Sequence, residues 1–411
     1  MEIMLSAKGS NVTAWRAVEN FAAAYRQALL DQAASDRSGS AETVFSETHA
    51  AIETVINTHR KLLKQLNSLI EEVSAETPST SIKELTIAFY SDLYRYFGHF
   101  RSPPAFYELS MAFLRGASAT IIAQATDQLG LHTGQLPEMA LIAVGPAGRC
   151  EYSPFSPLQI LLVHGEVAES QRQTITLFCN TLHAGFESAG LAIDPVVTPR
   201  NALWRGTLSE WRHRCEEWLH PLEDNKLIDL CRLVDQYPLH PVDRISRELK
   251  QISSTALSSN RQAMANLIVR MTSLSNGLSF IGRLKLERSG KERGMFDLLN
   301  HGLLPLSAAL SALTLIKKSG AVSNCERIRD LLKRHELDVE QAERMLATWH
   351  SLNDLRLRRE QSFRIDEPTT MSLFLNPNDL TADQQQSLIE TLESVAIIQH
   401  HVVITFSEMG E

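Results

Sequence analysis

Residues 141–163 read LIAVGPAGRCEYSPFSPLQILLV. Two apolar runs enclose a turn in which Gly145 and Gly148 bracket Pro146 and Ala147, with Arg149 and Glu151 close behind. Backbone N–H groups in a glycine-bounded turn can form a nest for an anion. An arginine beside such a nest can grip a phosphate through two parallel hydrogen bonds. A metal-dependent transfer reaction would also need carboxylates, because Mg²⁺ takes charged oxygen ligands in octahedral geometry. The stretch holds one carboxylate, Glu151. Gly145, Gly148, Arg149 and Glu151 are therefore the candidates for holding a nucleotide or another anion. A structural role competes for Arg149: pairing with Glu151 or a helix carboxylate would fix the turn.

The elements that must position this loop follow from periodicity. MALIAVG (139–145) and LQILLVH (158–164) have strand length, residues 167–189 read as a helix, and LAIDPVV (191–197) is a third short run, an α/β order. Before them the first 130 residues are helical: helices are expected over 13–36, 46–75, 82–98 and 104–128. The connections are SDRSGSAET, SAETPSTS, whose Ser and Thr suit a helix cap, and RSPP. From Ser209 onward helical spacing returns, broken only by short segments such as LHPLED, QYPLHPVD, LKLERSGKERG and FRIDEPTTMSLFLNPNDL.

Bulk properties narrow the function classes. The 411 residues suffice for two or three domains, and 44% hydrophobic with 21% charged is an ordinary globular composition. A net charge of −8 disfavours a nucleic-acid binder, which needs a basic face to displace phosphate counterions. The five cysteines stand far apart without zinc-type spacing, as expected of reduced thiols in a cytoplasm. The N-terminal residues lack a secretory pattern, and no window is read as approaching the roughly 18 apolar residues of a membrane span. A cytoplasmic protein without a nucleic-acid or membrane partner is expected.

The loop resembles the first two strands of the polymerase-β-like nucleotidyltransferase fold, in the version found in PII-uridylyltransferase-like nucleotidyltransferases. Those proteins carry G-S-x-G-R-x-E and then D-x-D at the start of the second strand. NALWRGTLSEWRHRCEEWL resembles the family's asparagine, tryptophan and S-L-x-E-W stretch, and FDLLNHGLLPLSAAL with NCERIRDLL resembles its helical C-terminal domain, so the resemblance covers about 135–411. It places Gly145, Gly148, Arg149 and Glu151 where the family has them. It also implies that Pro146 stands for the phosphate-binding serine, with neither hydroxyl nor N–H to offer. Pro157 and Gln159 stand for the two metal-binding aspartates. Asp194 would be the remaining acid of the usual triad, or else a turn residue before Pro195. Asn201, Trp204 and Asp297 become candidates for the substrate cleft, with a helix cap the competing role for Asp297.

Other features read as structural. Trp204, Trp211 and Trp218 suit a ligand wall, but packing of the α/β unit against the C-terminal bundle is the preferred expectation. His400 and His401 have no acid at metal-ligand spacing. The basic run from Leu355 to Arg364 contains Glu360 and reads as a solvated helix face with i,i+4 pairing.

The expectation is an α+β, mainly helical protein with a helical N-terminal domain (1–130), a degenerate α/β domain (131–250) and a helical C-terminal domain (251–411). Its expected function is that of a catalytically impaired, nucleotidyltransferase-like regulatory protein with no cofactor. Two alternatives stand beside it. One is an active nucleotidyltransferase of the PII-uridylyltransferase type, using Mg²⁺ to modify a protein partner; the other is a ligand-free interaction scaffold. Homo-oligomerisation is compatible with all three.

Overall fold

The computed structural model describes residues 41–131, 136–219, 224–240, 243–367 and 371–408; the helix expected over 13–36 lies outside the described residues. The first three described helices are α1 (Ala41–Val73), α2 (Ile82–Phe100) and α3 (Pro103–Gln128). Ser81 and Ser102 cap α2 and α3 by accepting hydrogen bonds from the N–H groups of Glu84 and Ala105, and Pro103 sits in the first turn of α3, where its missing N–H costs nothing. The apolar face of α2, with Phe89, Tyr90, Leu93 and Phe97, is fully buried. The Phe89 ring stacks on Phe113 of α3 at 4.2 Å.

A four-stranded mixed sheet follows, made of β1 (Met139–Val144), β2 (Gln159–His164), β3 (Arg205–Thr207) and β4 (Gln236–Pro238), in the order β3-β2-β1-β4. β1 runs antiparallel to β2, from Met139 opposite His164 to Val144 opposite Gln159, and antiparallel to β4; β2 and β3 are parallel. Every residue of β1 is buried, so this strand lies within the core. Helix α4 (Glu169–Ser188) packs on α3; α5 (Leu208–Leu219) packs on β3, α6 (Asp224–Arg232) on α5, and α7 (Asp243–Ser259) on α5 and against β1 and β2.

Two sequence expectations change here. LAIDPVV is not a strand: only Ile193 forms a bridge, to Leu158. Pro195 lacks an N–H, and the Asp194 carboxylate folds the chain by accepting the Val196 and Val197 N–H groups, each at 2.9 Å. Conversely, the expected break QYPLHPVD contains β4, three residues too short to show alternation. Its Pro238 is tolerated because β4 is an edge strand.

The remainder is a helical bundle: α8 (Arg261–Thr272), α9 (Leu304–Ile316), α10 (Asn324–Lys333), α11 (Val339–Gln361) and α12 (Ala382–Glu408), with a two-stranded piece, β5 (Phe296–Asp297) and β6 (Phe374–Leu375). Contrary to the sequence reading, one helical stretch, Leu299–Ile316, is long and apolar enough to cross a membrane by composition, yet 67% of it is buried inside the fold. It is the central helix of the bundle, α9 with the π turn before it, packed on α8, α10 and α12. The class is α+β and mainly helical, as expected.

Candidate functional site

The loop leaves β1 through Gly145, whose φ of +62° is a left-handed value that a glycine adopts without strain. One helical turn (Gly145–Gly148) follows, and Cys150, at φ +58°, reverses the chain so that the Glu151 N–H reaches the Pro146 carbonyl at 2.8 Å. Gly148 is needed for another reason. A Cβ there would lie 2.3 Å from the Asp235 carbonyl oxygen, so the turn rests directly on the backbone that leads into β4.

Arg149 leans back into the protein. Its Nη1 donates to Asp235 Oδ2 at 2.7 Å and its Nε to Glu151 Oε2 at 3.4 Å, and the side chain is 12% exposed. Asp235 also faces Arg327, at 2.8 Å, and accepts from Ser311 Oγ at 2.9 Å. Glu151 accepts from Asn324 Nδ2 at 2.7 Å and Trp349 Nε1 at 2.6 Å. Two guanidinium groups and two carboxylates thus balance one another in a buried cluster. Burial opposes the charge on Asp235, but Arg327 and Arg149 outweigh it and hold the carboxyl below its ordinary range. Burial likewise opposes the charge on Arg149, and Asp235 and Glu151 more than compensate. A phosphate reaching Arg149 would have to displace both acids.

A second buried pair adjoins the first. Arg356 Nε donates to Glu360 Oε1 at 2.8 Å, and Arg356 Nη2 donates to Ser153 Oγ at 2.9 Å and Ser156 Oγ at 2.6 Å. Glu360 accepts from Tyr94 Oη at 2.7 Å. The run 355–364 is therefore only in part a solvated face: Gln361, Ser362 and Arg364 are exposed. Its i,i+4 pairing is present, but Arg356 and Glu360 point into the core, 5% and 0% exposed. Charge spacing alone does not distinguish a buried pair from an exposed one.

The positions that carry metal ligands in the resembling family form a different arrangement. Pro157 is exposed just before β2, and Gln159 opens the strand. The Gln159 carboxamide lies over the turn: a Cβ on Gly145 would meet its Oε1 at 2.5 Å. Its Nε2 donates to Asp194 Oδ2 at 3.0 Å. Burial works against the charged form of Asp194, but the Val197 and Val196 amides, Gln159 and Arg232 lower its pKa overall. Asn201 braces the same segment, donating to the Val196 carbonyl at 3.1 Å and capping the turn Ala202–Trp204.

Gly145, Gln159, Asp194 and Asn201 thus gather at one place, and Arg149 with Glu151 in the adjoining cluster. Trp204 and Asp297 are held elsewhere. Trp204 is buried against Trp211 and Trp218, with ring centroids at 6.2 and 5.9 Å. Trp211 Nε1 donates to Leu162 of β2, which ties the tryptophans to the α/β unit itself. Asp297 accepts from the backbone and side-chain nitrogens of Asn300 at 2.9 and 2.7 Å, the geometry of a cap. Sequence reasoning missed Asp235, Asn324, Arg327 and Trp349, and placed Arg356 and Glu360 on a solvated face where the fold buries them. NCERIR, with its buried Asn324 and Arg327, was the one available signal, since a polar pair on the inner face of an amphipathic helix must find partners.

Residues 93–225 match the family described as "Putative nucleotidyltransferase DUF294", and residues 261–406 match the "Putative nucleotidyltransferase substrate binding domain". No curated protein matches the chain. The two matches occur in order and together cover the greater part of the sequence, and the chain belongs to this nucleotidyltransferase-like family.

Proposed function

We propose that the protein is a regulatory member of this family that has kept the nucleotidyltransferase fold and lost metal-dependent transfer. The observation that carries the reading is the Gln159 carboxamide, hydrogen-bonded to Asp194 above Gly145. The residues present do not fit Mg²⁺. Pro157 brings no donor, Gln159 brings an amide, and Asp194 is the remaining carboxylate, already engaged by two backbone N–H groups and Gln159. Since catalysis of phosphoryl transfer is mostly positioning and charge stabilisation around the metal, the loss of two carboxylates removes the known mechanism.

Arg149 and Glu151 then act as struts between the loop and the helical bundle, and regulation works through contact with a protein partner in the cytoplasm. Calorimetric titration with Mg²⁺ or Mn²⁺, alone and with nucleoside triphosphates, tests this, together with a transfer assay. The expected result is neither metal-dependent affinity nor turnover. Tight binding of metal and nucleotide with turnover would establish an active transferase instead.

A further inference from the structure

Phe280 is 105% exposed and Ile281 68%, side by side at the tip of a hairpin between α8 and β5. The hairpin is well built. Ser279 N–H donates to the Arg283 carbonyl at 2.7 Å, Leu278 and Leu284 form an antiparallel bridge, and both leucines pack against the core. At its base Gly277, with φ +70°, lies so close to Phe296 that a Cβ would meet the ring at 2.7 Å. The tip is therefore held outward by an anchored stem, with its two large apolar side chains facing solvent.

The segment that follows the tip is basic, and part of it forms a second turn, closed by hydrogen bonds between Glu287 and Gly294 and between Glu287 and Met295. From residue 280 to 294 the chain carries Arg283, Lys285, Arg288, Lys291 and Arg293 against Glu287 and Glu292, in a protein of net charge −8. All five cations are exposed, and Leu286 adds a third exposed apolar residue, 39% accessible. An exposed apolar tip followed directly by a turn of exposed cations calls for an acceptor that is soft and anionic. An acidic lipid surface meets both demands without a dedicated pocket: apolar tips enter the headgroup boundary while basic residues meet the negative surface potential.

We propose that this hairpin docks the protein reversibly on anionic membranes. The sequence expectation of no membrane partner rested on spanning segments, which such a contact does not need.

The test is co-sedimentation of the full chain with vesicles of phosphatidylcholine alone and of phosphatidylcholine with phosphatidylglycerol. Binding is expected only to the anionic vesicles and to weaken with added salt. Phe280→Ser combined with Ile281→Ser should reduce it by at least about tenfold with an unchanged melting temperature. Arg288→Glu, Lys291→Glu and Arg293→Glu together should abolish it. Phe280→Trp should blue-shift in emission on binding. Absence of binding to anionic vesicles would overturn the proposal in favour of an acidic protein pocket as acceptor. Equal binding to both vesicles, or binding indifferent to the tip substitutions, would also overturn it.

Discussion

At residue 159 a carboxamide and a carboxylate have opposite consequences. Gln159 donates to Asp194, whereas an aspartate there would bring a second negative charge toward it, and one of two such acids must protonate or find a cation. Pro146→Ser, Pro157→Asp and Gln159→Asp combined should therefore create Mg²⁺ affinity that the natural protein lacks. Without Mg²⁺ the triple variant should melt lower, and Mg²⁺ should restore part of the loss. Calorimetry and melting curves with and without the ion check both halves, and equal metal binding before and after would count against the geometry. Arg149 gives a second residue-scale outcome. Its removal leaves Asp235 and Glu151 short of a cation in the core, so Arg149→Ala should cost about 3–5 kcal/mol in urea unfolding. The pairing with Glu151 was legible because the two stand in one motif. Asp235 was not, being 86 residues away in a stretch that carries no motif.

Among the elements, what could be read was what periodicity encodes. The long helices and the two central strands bury continuous apolar faces, and their expected limits fall within a few residues of those observed. The misses are short or polar. β3 and β4 have three residues each, too few for alternation, and LAIDPVV is apolar enough for a strand but is turned by Asp194 and Pro195. The inner face of α11 carries Arg356 and Glu360 among buried apolar residues such as Met345, Trp349 and Leu352, and charge spacing gives no sign that the pair is buried with them. Close approach of elements is equally invisible to pattern, and Gly148 shows it best. Gly148→Ala would drive a methyl group to 2.3 Å from a backbone oxygen that cannot swing aside, so a loss of about 1–3 kcal/mol or more is expected. Gly294→Ala is the control: its Cβ would meet nothing, leaving only the strain of φ +83°, about 1 kcal/mol. Urea unfolding of the two variants should rank them in that order.

Over the whole molecule, buried polar contacts join parts that the sequence reading set out as separate domains. Tyr94 of α2 and Ser153 of the loop segment meet on Glu360 of α11, while Asp235 beside the sheet holds Arg149 of the loop and Arg327 of α10. The described parts should therefore unfold together, with circular dichroism and tryptophan fluorescence giving coincident transitions. The same contacts set the response to acid. Asp235 has its pKa depressed in the folded state because Arg327 and Arg149 outweigh the effect of burial. A depressed carboxyl contributes stability that is fully present above its unfolded pKa, about 3.9, and is lost as pH falls through the lower folded value. Asp194 acts in the same direction. The contribution of these two groups should be constant from neutrality to about pH 5 and decline below about pH 4. Asp235→Asn should be less stable at neutral pH, since Arg149 and Arg327 lose a shared counter-charge. Its acid limb should be shallower, so that its curve and that of the natural protein converge as the pH drops. Urea unfolding at a series of pH values decides the matter, and two parallel curves would show that Asp235 does not couple the loop to the bundle through its charge.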